Sequence, residues 1–505
     1  MATTLNLVRN SKLFFTTNVD SNGKIQEGTA FTAANTQELQ VLVGFSFSQK
    51  TNADTITISE AGSAPTRGQR AFNTSLSPVD YSFSTYIRPR LNNGAVKAEE
   101  AVLWNALLGD QPISTGIALG GTGVTASFVA ATNLLTIDMT AGTLASALTV
   151  GQTVVIGGFT GPTANLTKLN APATIVSYKT TGSSVTSGVL PTSGLTEIVL
   201  SYTNPSTTDV SPTEGTITFY PSAWAPAGGS TFAAVSSANS NKNQLQQFGL
   251  LFMIDQVLYA VDNCALNQVM IDFGLGAIAT AAWTGQGTQL RKIADAATAN
   301  AGTFASGITG SYTAKVTDAG YITNKLSTVS LSLVNPLNKV VGQTSTTVGA
   351  NGDQYAIALT AGSITINNNI TYITPAILGV VNTPVVYYTG TRAITGTMQA
   401  YLKTGSGRST GELLADLLDA ASNTTEPMFA LQLAIGGSSY STRVEIDLPS
   451  INLTIPTIDA TQPVVTTSIN FTSQGSTQAS ASGVYDITKT NDFTARYYST
   501  TTASA

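Results

Sequence analysis

The sequence contains no histidine among its 505 residues. Without an imidazole it has no Ser-His-Asp or Cys-His catalytic pair and no histidine ligand for a metal ion. Its single cysteine, Cys264, excludes an intrachain disulfide framework, and no cluster has zinc-ligand spacing. Two carboxylates assembled from distant strands, as in a carbohydrate hydrolase, remain open as a remote alternative, although no motif supports them. We therefore predict a protein that is not an enzyme and that uses no cofactor.

Charged residues are also scarce. They make up 10% of the chain, against roughly 25% in an average soluble domain, and the formal net charge is -5. So little charge does little to keep copies apart, and we expect much of the surface to be covered in an assembly. The acidic balance argues against a basic surface that wraps nucleic acid. Long apolar runs are missing too, because Asp255, Asp262 and Asp272 interrupt the most apolar region.

The sequence is instead rich in short segments that alternate apolar and polar residues, separated by turns rich in glycine, serine and threonine. This pattern predicts a mainly β fold with a few short helices. Residues 112–226 consist of such segments with turns at regular intervals, which favours an inserted β-sandwich of the Ig-like kind. Further on, Asp262 and Asn263 are predicted to form the turn of a hairpin.

One helix is predicted at AEEAVLWNALLG, residues 98–109. Its apolar residues recur near helical spacing, and Gly109 stands where a glycine commonly ends a helix. Glu99 and Glu100 are adjacent in sequence, so they cannot face one cleft together, and we expect them on a solvated helix face.

A second helix is predicted at GELLADLLDA, residues 411–420. Ser409 and Glu412 have the spacing of a capping box, which supplies partners for the free backbone amides at a helix start. The apolar stripe of this helix consists of Leu413, Leu414, Leu417 and Leu418.

The order of elements in the first third of the chain recurs in the last third. ITIS at 56–59 corresponds to ITIN at 364–367, STYI at 84–87 to QAYL at 399–402, and the first helix to the second. The repetition predicts two tandem copies of one β-rich fold. The first copy comprises residues 1–111 and 227–305, the insertion residues 112–226, and the second copy residues 306–505.

Four segments resemble the major tail tube protein of long-tailed bacteriophages of the T5 type. They are NLVRNSKLFF at 6–15, the long run ISEAGSAPTRGQRAFNTSLSPVDYSFSTYIRP at 58–89, WTGQGTQL at 283–290 and ITINNNITYITP at 364–375. The resemblance covers most of residues 1–110, 245–300 and 360–475, and it does not cover the insertion. In that family two tube folds are fused in one polypeptide.

The resemblance implies a structural virion protein that assembles with itself. Three chains would form a ring of six tube folds, and stacked rings would form the tail tube through which DNA passes. The other implied partners are the tape measure, tail terminator and distal tail proteins, with assembly in the cytoplasm of the bacterial host and no membrane insertion. A capsid-decorating or receptor-binding β protein is the alternative, and it would form a discrete trimer rather than filaments.

The resemblance also suggests residues for the contacts between subunits or rings. In the family a long loop before the strand YSFSTY contacts a neighbouring subunit or ring. The candidates in and near this loop are Glu60, Pro65, Arg67, Gly68, Arg70 and Phe72. Arg88 and Arg90 either pair with carboxylates of an adjacent chain or are solvated charges at a strand end.

A tube that passes DNA needs a wall that does not bind phosphate. Acidic side chains on the wet face of the lining strands would repel the DNA and would give no gain from counterion release. The candidates in alternating strands are Asp255, Asp272, Glu445 and Asp447. Acids on the solvent face of any sheet look the same in sequence.

Overall fold

The computed structural model describes the following residues: 11–27, 31–32, 35–42, 44–56, 70–92, 95–108, 117–144, 148, 150, 153–160, 169, 172–186, 190–202, 213–220, 224–226, 232–236, 245–254, 257–295, 321–333, 354–355, 357–378, 380–404, 409–422, 428–436, 442–461, 463–473, 478–479, 484–485 and 492–498.

These residues form a mainly β fold, as the sequence predicts. The first strands are β1 Lys12–Thr16, β2 Thr36–Leu39, β3 Ser46–Ile56, β4 Arg70–Tyr86, β5 Pro89–Asn92 and β6 Ala95–Ala98. The next are β7 Ile117–Val129, β8 Leu134–Leu144, β9 Thr153–Thr160, β10 Pro172–Lys179, β11 Ser184–Val185, β12 Ser193–Tyr202 and β13 Thr213–Tyr220. They are followed by β14 Trp224–Pro226, β15 Phe232–Ser236, β16 Phe248–Ile254, β17 Val257–Gly274, β18 Thr280–Gly287 and β19 Gln289–Asp295.

The remaining strands are β20 Thr328–Leu333, β21 Gln354–Tyr355, β22 Leu359–Asn367, β23 Ile370–Ile373, β24 Val386–Thr389, β25 Ala393–Tyr401, β26 Met428–Gly436, β27 Arg443–Leu453, β28 Thr457–Asp459, β29 Thr466–Ser473, β30 Gln478–Ala479, β31 Val484–Tyr485 and β32 Thr494–Tyr498. The helices are α1 Ala101–Leu108 and α2 Thr410–Ser422, with a 3-10 helix at Asn324–Leu326. Within these described residues, no helix is long and apolar enough to cross a membrane.

Strands β7 to β13 form a sheet of their own around a separate core. The pairing order is β11-β10-β12-β8-β7-β13-β9, and β9 pairs in turn with β10. The sheet therefore closes on itself as a small barrel, in place of the two-sheet sandwich that the sequence favours. Its interior contains Phe128, Leu135, Ile175, Leu200 and Phe219, among other apolar side chains.

The other large sheet contains a long layer, in the order β3-β4-β18-β17-β22-β25-β29, with the end of β27 and all of β28 beside β29. Alternation with period two gives this layer two different faces. In β18, for example, Ala281 and Trp283 are buried, whereas Thr280 and Thr284 on the opposite face are partly exposed. We call this second face the polar face.

Strand β17 passes from the long layer into a second layer that covers its buried face. Residues 257–262 pair with β16 and β19, and residues 265–274 pair with β18 and β22. The change occurs at Asn263, whose φ of 46° and the adjacent shift in register mark a bulge. The predicted hairpin turn at Asp262–Asn263 is therefore wrong. The ladder between β16 and β17 instead ends at the pair Ile254–Val257.

Helix α1 begins three residues later than predicted. The ladder between β5 and β6 extends to the pair Pro89–Ala98, and the amide of Glu99 donates a hydrogen bond to the carbonyl of Arg88. Trp104 of α1 is buried against Trp283 of the long layer, with ring centroids 5.1 Å apart. The helix therefore lies on the side of the long layer opposite its polar face. Gly109 lies outside the described residues.

The capping box of helix α2 is confirmed. The amide of Glu412 donates to Ser409 Oγ at 3.4 Å, and the amide of Ser409 donates to Glu412 Oε2 at 3.2 Å. Leu413 and Leu417 are buried, as expected for the apolar stripe, but Leu418 is 50% exposed.

Candidate assembly edges and polar face

The same order of strand pairing occurs twice in the long layer. In the first block, β3 pairs with β4, β4 with β18, and β18 with β17. In the second block, β22 pairs with β25, β25 with β29, and β29 with β27 and β28. The chain thus contains two blocks of matching topology, each contributing four strand positions to the layer.

Each block has one side-chain hydrogen bond at an equivalent place in its ladder. Ser46 Oγ lies 2.8 Å from Ser82 Oγ, and Ser363 Oγ lies 3.2 Å from Thr397 Oγ1 at the equivalent place. This register aligns Ser46 with Ser363. The sequence comparison of ITIS with ITIN is therefore wrong, because Phe47–Lys50 rather than residues 56–59 takes the place of ITIN in the ladder.

The match of STYI with QAYL agrees with the ladder. It aligns Tyr86 with Tyr401, and these residues pair with Thr280 and Thr466 respectively.

On the buried face, each block also places an aromatic ring over a glycine. The ring is on β4 and the glycine on β18 in the first block, whereas in the second block the glycine is on β25, the counterpart of β4, and the ring is on β29, the counterpart of β18. Tyr81 faces Gly285 in the first block, and Phe471 faces Gly396 in the second. A Cβ on Gly285 would lie 2.3 Å from Tyr81 Oη, so only glycine leaves room for the ring.

The two blocks join through β17 and β22. The pairs run from Gln268–Asn367 to Gly274–Ala361 and include Asp272–Ser363. Because this ladder is continuous with those on either side, the two blocks form one uninterrupted layer.

Both ends of the long layer are open edges. In the part of the chain that the structure describes, β3 pairs with no strand except β4, and β28 pairs with none except β29. The register makes β3 equivalent to β22. It makes β28 equivalent to the end of β17, because Asp459 pairs with Thr466 as Asp272 pairs with Thr280. The two open edges are thus the counterparts of the two strands that join in the middle.

The polar face of the layer is coated mainly by hydroxyl and amide groups. Its side chains include Ser46, Ser82, Ser84, Thr284, Gln286, Gln268, Thr365, Thr395, Thr397, Gln399, Ser468 and Asn470. Three acidic side chains, those of Asp80, Asp272 and Asp459, are exposed on this face. The face is therefore polar with little charge, which is acidic at these three positions and basic at Lys50, the residue that continues the exposed row of Ser46 and Ser48 on β3.

The loop predicted to contact neighbouring copies lies mostly outside the described residues. This applies to Glu60, Pro65, Arg67 and Gly68. Arg70 is the first residue of β4, opposite Ile56, and Phe72 two residues later is 52% exposed.

Arg88 has a partner within its own chain. Its guanidinium donates to both carboxylate oxygens of Glu99, with Nη2 3.0 Å from Oε1, and it lies over the ring of Tyr321 at 4.6 Å. Arg88 is 1% exposed, so it is neither a solvated charge nor accessible to another chain in this conformation. Arg90 lies in β5, where its backbone pairs with Lys97.

Glu99 and Glu100 are both buried, so the expectation of a solvated helix face is wrong. They lie in the turn before α1, where Glu99 binds Arg88 and Glu100 points into the interior. Tyr497 of the last strand donates to Glu100 Oε1 at 2.5 Å, and Trp104 Nε1 donates to the same atom at 3.3 Å. Among the described residues, Glu100 Oε2 is buried and has no hydrogen-bond partner. Burial, outweighing these hydrogen bonds, raises the pKa of Glu100 from 4.5 to about 7.

This pKa predicts how Glu100 contributes to stability as pH changes. The folded chain keeps the proton up to about pH 7, whereas the unfolded chain loses it near pH 4.5. The contribution of Glu100 to the free energy of unfolding therefore falls as pH rises from 4.5 to 7. Above pH 7 the buried carboxylate makes the free energy of unfolding about 3 kcal/mol lower than it would be with Glu100 protonated. We expect Glu100→Gln, measured by urea unfolding, to be more stable than wild type at pH 8 by up to that amount. At pH 4 the difference should disappear, and a difference that does not change with pH would contradict this assignment.

The four predicted lumen acids do not share one surface. Asp272 lies on the polar face, whereas Glu445 and Asp447 lie in the part of β27 that pairs with β26 and β32. Their neighbours Val444 and Ile446 enter the core, so these two acids face away from it on the covering layer. Asp255 lies outside the described residues.

Asp459, the counterpart of Asp272, was not among the predicted residues. The only sequence signal for it is the short alternating segment TIDA after Pro456, and its significance depends on knowing the register. Within the described residues, no group of three His, Cys, Asp or Glu side chains is placed to hold a metal ion.

The fold, the paired blocks and the charge-poor polar face define a mainly β structural protein with edges suited to assembly. Among characterised proteins, the chain is similar to the tail tube protein pb6 of Escherichia phage T5. The two are 24% identical over 473 residues, which cover 92% of this chain and 72% of the relative. No protein-family model matches the chain. The similarity confirms the resemblance to the T5-type major tail tube proteins and supports a structural role in a phage tail tube.

Proposed function

We propose that the chain is the subunit of a bacteriophage tail tube, in which three chains form each ring and the rings stack around a channel for DNA. The observation that carries this proposal is the equivalence of the open edges of β3 and β28 to the joined strands β22 and β17. A chain whose two free edges repeat its own internal junction can pair with further copies in the same way.

The internal junction supplies the register of the junction between chains. Asp459 of one chain would stand opposite Ser46 of the next, as Asp272 stands opposite Ser363. Ile458 would likewise stand opposite Phe47, as Ile271 stands opposite Ile364. Three chains carry six blocks, so the ring has pseudo-sixfold symmetry, and its closure leaves no open edge in the layer.

The polar face would form the wall of the channel. Hydroxyl and amide groups lack positive charge, so DNA phosphates gain nothing from counterion release on touching them. Asp80, Asp272 and Asp459 would add repulsion. DNA would then pass without being held.

The barrel of β7 to β13 would lie outside the ring. It follows α1, and α1 packs on the side of the long layer opposite the polar face. In this arrangement the barrel is an external decoration that leaves the channel open.

The same proposal places the chain in the virion tail, with assembly in the bacterial cytoplasm. Tape measure protein would occupy the growing channel, and terminator and distal tail proteins would bind the two ends of the tube. These partners follow from the role of a tail tube subunit.

Electron microscopy of the purified full-length protein tests the proposal. We expect rings or stacked tubes with a central hole, and class averages with three outer barrels per ring. Particles that remain single chains at every concentration and salt condition would contradict it.

A further inference from the structure

Helix α1 lies between the two halves of the chain. The ring of Trp104 packs against Trp283 of the first block, with centroids 5.1 Å apart, and against Phe493, with centroids 5.2 Å apart. Trp104 Nε1 also donates a hydrogen bond to Tyr497 Oη in β32 at 2.8 Å. Because β32 pairs with β27, Phe493 and Tyr497 belong to the half that carries the second block. The helix therefore contacts both halves.

Two side chains of the second block cap the C-terminal end of α1. The last carbonyls of a helix have no partner within the helix. Asn368, directly after β22, donates from Nδ2 to the carbonyl of Leu107 at 2.7 Å. Arg392, directly before β25, donates from Nη1 to the carbonyl of Leu108 at 3.4 Å. Its positive charge also suits the negative end of the helix dipole. Both capping side chains belong to buried residues.

Both capping residues are themselves anchored. The amide of Asn368 donates to the carbonyl of Asn267 at 2.8 Å, and Asn368 Nδ2 donates to the carbonyl of Leu266 at 3.3 Å. Arg392 forms an ion pair with Asp492, in which Nη2 lies 3.2 Å from Oδ1 and the side-chain exposures are 1% and 6%. Four residues thus hold α1 from the second half of the chain, and we call them the bracket: Asn368, Arg392, Phe493 and Tyr497.

The arginine of the bracket has no counterpart at the open edge of the first block. The register that aligns Ser82 with Thr397 places Ser77 at the position of Arg392. Ser77 Oγ donates to Asn52 Oδ1 at 3.4 Å, and a serine side chain is too short to reach a helix end as Arg392 does. The cap on Leu108 is therefore a property of the junction within the chain.

Strand ladders alone do not fix how many blocks close a ring. With four strand positions in each block, a ring of three chains turns by about 15° at each position, and a ring of four chains by about 11°. The rotation between adjacent strands in natural sheets varies over about 25°. The ladders therefore tolerate either ring, and an element outside the layer is needed to select one of them.

We propose that the bracket, by holding α1 across the junction of β17 and β22, fixes the angle between the two blocks and so limits the ring to three chains. This inference rests on the proposed function, since it requires closed rings. A change of angle would pull the carbonyls of Leu107 and Leu108 away from their donors, and an unpaired carbonyl in the interior is costly. The bracket residues act through α1 and are positioning residues for assembly.

The double variant Arg392→Met/Asp492→Asn tests the bracket. It removes both charges together, so no unpaired charge is left in the interior, and it frees the carbonyl of Leu108. We expect at least a tenfold rise in the fraction of rings that contain a number of chains other than three. Native mass spectrometry counts the chains, and electron microscopy counts the outer barrels. Three-chain rings at the wild-type fraction, from a folded variant, would overturn the proposal.

The matched control is Arg443→Met/Glu445→Met, which removes an ion pair between two residues of β27. The side chains of this pair are 13% and 14% exposed, and the pair does not touch α1. Circular dichroism and urea unfolding compare the two double variants. The control should keep three-chain rings even where its stability falls. An equal change in ring size in the control would show that general destabilisation is the cause and would refute the bracket.

A milder variant decides the matter if Arg392→Met/Asp492→Asn does not fold. Asn368→Ala frees the carbonyl of Leu107 and leaves the ion pair of Arg392 with Asp492 in place. We expect a smaller rise in the fraction of rings with other than three chains. Wild-type ring size in Asn368→Ala would then count against the proposal.

The proposed function and the bracket can be judged separately. If the wild-type protein forms no rings, the proposed function fails and the bracket inference fails with it. If the wild-type protein and both bracket variants all form three-chain rings, the function stands and the role of the bracket is wrong.

Discussion

Cysteines replacing Ser46 and Asp459 are expected to link neighbouring chains into a covalent ring. The internal junction places the equivalent residues, Ser363 and Asp272, directly opposite each other. Directly opposed residues of antiparallel strands have Cα atoms within the range that a disulfide spans. Under oxidation, the double variant Ser46→Cys/Asp459→Cys should give bands of one, two and three chains on a non-reducing gel, with three as the limit. Cys264 is buried and does not compete.

Two further variants control this experiment. Asp272→Cys/Ser363→Cys should form its disulfide within one chain, which shows that the geometry and the oxidant are adequate. Ser48→Cys/Asp459→Cys moves one partner by two residues, and the diagonal separation of about 7–8 Å exceeds the reach of a disulfide. Efficient linkage of the displaced pair, or none in the aligned pair, would disprove the register. A ladder beyond three chains would contradict the three-chain ring.

Arg88→Met is expected to lower the free energy of unfolding by about 3–5 kcal/mol. The substitution leaves the carboxylate of Glu99 buried without its cation, and an unpaired buried charge is far more costly than the loss of an exposed pair. Both partners are nearly inaccessible, with side-chain exposures of 1% and 9%. Urea unfolding at pH 7 measures the change.

The matched control is Lys12→Met, which breaks the pair with Glu38 on the surface. The Lys12 side chain is 39% exposed, so we expect a loss of less than about 1 kcal/mol. The double variant Arg88→Met/Glu99→Met should regain much of the stability, because an apolar pair replaces the ion pair. Equal losses for Arg88→Met and Lys12→Met would show that the buried pair contributes no more than a surface pair.

Local features of the chain were predictable because they depend on neighbours in sequence. The mainly β class follows from alternation, and the cap of α2 follows from the spacing of Ser409 and Glu412. The errors occurred where a distant partner decides the outcome. Glu99 and Glu100 look like solvated charges until Arg88 and Tyr497 are brought against them. Asp262 and Asn263 have the composition of a turn, yet they lie in a bulge at which β17 changes layers.

The alignment of the two blocks shows the same limit. Short segments such as ITIS and ITIN match in letters, but the register is fixed by ladders between strands far apart in sequence, and a shift of one residue would turn every side chain to the other face. Asp459 was missed for this reason. Its significance appears only when the register shows that it is the counterpart of Asp272.

The sequence alone indicated what kind of protein this is. The missing histidines leave it without imidazole chemistry, the scarce charge predicted a surface covered in an assembly, and several motifs resembled the tail tube family. The tertiary structure decided which surfaces are free to pair. Whether an edge is open, a carboxylate is buried or an apolar residue is exposed depends on which strands pair, and the paired strands can be hundreds of residues apart in sequence. This pairing is set by the packing of the whole core, which no local stretch of sequence specifies.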